Sequence, residues 1–197
     1  MSEPRLHGLG VSQPSTDEEP VSTANPLDLI ERQHVGQESL CDALEEIADS
    51  LPGKIDAALM AKAVGGLSND LPLLQRDMNE GLFPLLHAHC LPEDRIDDIL
   101  PRLQMEKTTD LSFAGEIIEA LGAMAGGARV RNPNTLGYML RGFFESYRRH
   151  LHWEKTVILP VARERLPEEA EHKLREKMRA HRSNRETVPR SSGADIP

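Results

Sequence analysis

The stretch from Leu140 to Val161, LRGFFESYRRHLHWEKTVILPV, constrains this chain more than any other. Its apolar residues Leu140, Phe143, Phe144, Tyr147, Leu151, Val157, Ile158 and Val161 recur at three- and four-residue steps, with one wider gap. That spacing describes the buried face of a helix in a bundle. His150 and Glu154 fall on the same stripe, one turn apart. An imidazole and a carboxylate projecting inward from one helix make half of a metal site in carboxylate–histidine bundles. The remaining sequence decides whether the other half exists.

Three further helical seams precede this one. Asn25-Pro26-Leu27-Asp28 is a helix start with Asn as cap and Pro in the first turn. The helix it opens is expected to run to about Ser50, with seam residues Leu27, Ile30, His34, Gln37, Cys41, Leu44 and Ala48. A second helical stretch, about 54–89, carries Leu67, Leu71, Leu74, Met78, Leu82 and Leu85. An interruption is expected near Gly65-Gly66 and a kink at Pro72. The third helix is expected to open at Pro92, bend at Pro101 and stop at Gly126-Gly127. On its seam, among Leu100, Leu103, Asp110 and Ala114, Lys107 is the anomaly. Asn132-Pro133 then opens the fourth helix. A short charged helix from about 167 to Ala180 follows, with a narrow stripe of Ala170, Leu174 and Met178. No alternation of strand type occurs. The expected fold is all-α: an up-and-down four-helix bundle over 25–166, a disordered tail over 1–24, and a C-terminal helix with a frayed tail over 167–197.

Composition excludes several classes. The net charge of −9 gives no basic footprint for nucleic acid. No stretch has the apolar length of a membrane span. Two cysteines, Cys41 and Cys90, make no disulfide framework, and no basic-then-apolar secretory leader opens the chain. A reduced, cytoplasmic setting is the expectation. His87, His89 and Cys90 suit the C-terminal end of the second helix as dipole-facing caps, and they have no ligand spacing. Five aromatics between Tyr138 and Trp153 read as fourth-helix packing.

The set Leu29-Ile30-Glu31-Arg32-Gln33-His34, Leu82-Phe83-Pro84-Leu85-Leu86, Arg149-His150-Leu151-His152-Trp153-Glu154 and Ile158-Leu159-Pro160 resembles the hemerythrin-like, or HHE cation-binding, family over about residues 26–166. The resemblance implies a non-haem di-iron centre held by His on the first helix, His-x-x-x-Glu on the second, His on the third and His-x-x-x-Glu on the fourth. Only His34, His150 and Glu154 match that pattern. Leu74 and Met78 stand at the ligand positions of the second helix, and Lys107 at that of the third. Leu and Met fill volume, and Lys107 brings a positive charge to a pocket that keeps Glu154. A buried carboxylate without a metal needs a compensating cation.

The expectation is therefore an internal Lys107–Glu154 pair, with solvent-directed Lys107 as the alternative. On this reading the chain takes no cofactor and acts through an unidentified protein partner, with a homodimer as one option. The alternative is a single iron ion on His34, His150 and Glu154, serving as a sensor or store. A two-metal enzyme has lost most of one side of its site.

Overall fold

The computed structural model describes residues 24–128 and 132–186. The expected N-terminal tail, to residue 23, and the expected frayed end, from residue 187, lie outside the described residues. Among the described residues the chain is helical with no strand. No helix is long and apolar enough to cross a membrane.

The first helix, Pro26–Ser50, begins where the Asn25 side chain accepts a hydrogen bond from the Leu27 amide at 2.8 Å. It ends as Leu51 turns extended ahead of Pro52, which crowds a preceding residue out of helical geometry. All seven seam residues read from the sequence are buried, the polar His34 and Gln37 included.

The second helical column spans 57–89 and starts at an Asp56 cap. It does not break at Gly65-Gly66. Instead it widens into π turns at Gly66–Asp70 and at Asp77–Leu82. The fourth helix widens likewise at Glu154–Ile158. Each π turn ends immediately before a residue–proline step: Leu71-Pro72, Phe83-Pro84 and Leu159-Pro160. A proline inside a helix has no N–H, and its ring presses on the carbonyl four residues back. The chain relieves this by taking one extra residue into the turn. The amides of Leu71, Phe83 and Leu159 reach back five residues, to the carbonyls of Gly66, Met78 and Glu154. The expected kink at Pro72 is thus a bulge within a continuous helix. Gly66 also sits where a Cβ would come within 2.9 Å of a Leu40 methyl, so a larger residue there would push the Leu40 side chain aside where the first two columns approach.

The third helix starts later than expected. Pro92–Asp94 forms a single 3-10 turn, Arg95 is left-handed at φ 53°, and the helix proper is Ile96–Ala125. Asp94 fastens this corner, accepting from the Leu91 amide and from two Arg165 nitrogens at 2.8 and 3.0 Å. Gly127, at φ 88°, turns the chain beyond the helix end. The fourth column covers 133–165, opened by Asn132 accepting from the Thr135 amide. Its buried aromatics are Phe143, Phe144 and Tyr147, whereas Tyr138 and Trp153 are exposed, contrary to the packing role expected of all five.

The C-terminal helix, Glu168–Glu186, outruns its expected end near Ala180 and packs on the bundle as a fifth member. Its stripe of Ala170, Leu174 and Met178 is buried. Leu174 reaches the bare backbone of Gly81 in the second column, where a Cβ would lie 2.9 Å from its methyl. Lys177 donates to the Glu80 carbonyl at 2.7 Å. That carbonyl is four residues before Pro84, which has no amide to offer it.

Candidate metal centre

Glu154 is the hub of the buried polar groups. It is the first residue of the fourth-column π turn and is 1% exposed. His34, from the first helix, meets Oε2 through Nε2 at 2.7 Å. A carboxylate only accepts, so Nε2 carries the ring proton. The opposite ring nitrogen, Nδ1, has no hydrogen-bond partner. Lys107, from the third helix, donates from Nζ to Oε1 at 2.5 Å. The Lys107 side chain is 2% exposed, so the solvent-directed alternative does not hold. The Phe83 ring lies 5.4 Å from the ammonium, within range of a cation–π contact.

Burial by itself raises the Glu154 pKa. The Lys107 charge and the His34 hydrogen bond overcome that and hold the carboxyl at about 2.

His150 takes a different set of partners. Nε2 lies 3.0 Å from Glu106 Oε2, and Nδ1 lies 2.6 Å from Asp110 Oδ2. The second contact is close but lacks hydrogen-bonding alignment, so both of its atoms lack a hydrogen-bond partner. Burial pushes the His150 pKa down, but Asp110 and Glu106 outweigh it and the net shift is upward. Both ring nitrogens thus face carboxylates of the third helix. The structure brings His34 to Glu154 but leaves His150 outside that contact. Asp110, which the sequence placed on the third-helix seam, is buried and meets the histidine.

Leu74 and Met78 are buried at 1% and 0% exposure and pack in the hydrophobic core. Gln37 accepts from the Tyr147 hydroxyl at 3.2 Å, which satisfies one of the two polar seam residues. Burial, then the Glu154 charge, drives the Tyr147 pKa well above its ordinary value.

Over residues 25–162 the sequence matches the Hemerythrin HHE cation binding domain. The chain belongs to that family. No curated protein and no solved structure matches it. Within the hemerythrin-like framework, Leu74 has no donor atom, Met78 offers only a thioether, and Lys107 presents a cation. Among the described residues, no group of three or more His, Cys, Asp or Glu side chains is placed to hold a metal ion. The His87–Cys90 end follows the same rule: His87 Nδ1 pairs with Asp97 Oδ1 at 2.6 Å on the surface. Both cysteines are free. Burial pushes the Cys41 thiol up to about 12 and raises that of Cys90 as well.

A third buried acid was missed from the sequence. Asp77 is fully buried and accepts from His181 Nδ1 at 2.8 Å, Arg182 Nη2 at 2.9 Å and Gln33 Nε2 at 3.1 Å. The signal was present: His181 extends the Ala170, Leu174, Met178 stripe by one more helical step, which aims an imidazole at the bundle.

Proposed function

We propose that this hemerythrin-like bundle works without a metal centre, as a non-catalytic interaction or regulatory protein of a reduced, cytoplasmic setting. One observation carries the reading: the Lys107 ammonium binds the Glu154 carboxylate inside the bundle, with His34 on the other oxygen. A fixed internal cation supplies the charge that a metal ion would bring to that carboxylate, and it repels an incoming divalent ion. The replacements on the second helix support the same reading, because Leu74 and Met78 fill volume and give no hard donor. These donors do not fit the di-iron centre that the family resemblance implies. With no paired ligands for two closely spaced ions, two-metal chemistry has nothing to stand on. Function then rests on surfaces.

The test is metal content by mass spectrometry of protein expressed with added iron and purified anaerobically. A Leu74→His, Met78→Glu, Lys107→His variant is run in parallel. The wild type should be empty, and the variant should gain iron. About one iron per wild-type chain, the stoichiometry of a reduced His34, His150, Glu154 site, would overturn the reading.

A further inference from the structure

A groove of about 900 Å³ runs between the third and fourth helices, well away from the C-terminal helix. Its lining includes the exposed aromatics Phe113, Tyr138 and Trp153, with Tyr138 80% exposed. Arg149 and Glu116 are also in its wall and exposed. Among the described residues neither meets an opposite charge, whereas Arg102, the other arginine of the wall, pairs with Glu106. We propose that this groove is a homodimer face, closed by a second copy of the chain about a two-fold axis.

A face that meets its own copy must be self-complementary: what stands at one end must fit what stands at the other. The third and fourth helices are antiparallel, and the contacts of His150 with Glu106 and Asp110 set their register. In that register Arg149 and Glu116 stand about seven residues apart along the groove, roughly 10 Å. Phe113 lies between their levels. A two-fold axis passing there lays each Arg149 against the Glu116 of the other copy. The same axis brings each Tyr138 to the level of the other copy's Trp153, so ring meets ring. Gly142, level with Glu116, has nothing within 4 Å of where a Cβ would be, which leaves room for the incoming arginine stem. One axis thus satisfies both unpaired charges and covers both of the most exposed aromatics. A free acid and a free base placed symmetrically about an apolar centre favour a second copy over a foreign partner.

The inference names the partner left open by the interaction reading, and it fails separately from that reading, because association is measured whatever the metal content. Sedimentation velocity of the full-length chain, in buffer with chelator, should give a species of twice 21.9 kDa. Arg149→Glu and Glu116→Arg should each weaken the dimer by about tenfold or more, and their combination should restore it. Tyr138→Glu should also dissociate it, with circular dichroism unchanged in every variant. A monomer at all concentrations would overturn the proposal. So would a dimer indifferent to the charge reversals, or one that the double reversal fails to recover.

Discussion

Lys107 and Glu154 neutralise each other inside the bundle, 2.5 Å apart with both side chains 2% exposed. The two charges come from different helices, and His34 completes the carboxylate from a third. Such a pair costs desolvation on both sides, so it matters less as a source of stability than as a constraint on what may be removed.

Lys107→Met should leave Glu154 buried without its cation. We expect a loss of about 3–5 kcal/mol in urea unfolding. Adding Glu154→Leu to the same chain should recover most of that loss, since a matched apolar pair replaces a matched ionic one. A single variant as stable as wild type would mean that water reaches the pair.

Acid should act through Glu154. Its carboxyl is held at about 2 in the fold against an ordinary 4.5. A depressed carboxylate contributes stability that is complete above the unfolded value and drains away as pH falls toward the folded one. The urea midpoint should therefore drop between pH 4.5 and 2. Glu154→Gln should be less stable at neutral pH and flatter across that window.

His150 has the opposite sign. Its pKa is raised above 6.5 by Asp110 and Glu106. Its contribution is complete below 6.5 and is lost as pH climbs through the raised value. His150→Gln should remove that alkaline-side decline, read as the change in urea midpoint between pH 6 and pH 9.

Asp77 ties the C-terminal helix down through His181 and Arg182. Asp77→Asn should weaken that attachment by about 1.5–3 kcal/mol, the range for hydrogen bonds to charged groups. Amide exchange over Glu168–Glu186 should accelerate ahead of exchange in the first helix. Equal acceleration everywhere would show that the helix does not detach on its own.

Cys41 is fully buried with a thiol raised to about 12, whereas Cys90 is only half-buried. Alkylation at pH 8 should label Cys90 first, and Cys41 only at the rate of opening of the fold.

The seams of the four main helices were legible because each depends on one helix's own periodicity. Asn25-Pro26 and Asn132-Pro133 announced two starts correctly, and both asparagines cap as their chemistry demands. Lys107 was legible for a simple reason: a lone cation on a buried seam needs a buried carboxylate, and Glu154 stood on another seam of the same bundle. The partners of His150 were not legible. Which carboxylate reaches it depends on the relative rotation of two helices, which no single-helix pattern carries. The π turns hid more, since each extra residue rotates everything after it and moves Asp77 and Met78 onto adjoining buried positions. The late start of the third helix turned on the left-handed Arg95, a residue type that gives no warning of that geometry.

The family match ends at residue 162, but the protein interior does not. Leu166, Ala170, Leu174 and Met178 are buried beyond it, and His181 and Arg182 hydrogen-bond to an acid that the matched segment contains. A recombinant fragment trimmed to the family boundary would uncover a greasy strip along the second column and strand Asp77 without those two partners. Such a fragment should aggregate. The smallest piece of this chain that can be expressed as a well-behaved protein therefore reaches at least Arg182, and truncations designed on family boundaries alone would mistake an exposed seam for a natural surface.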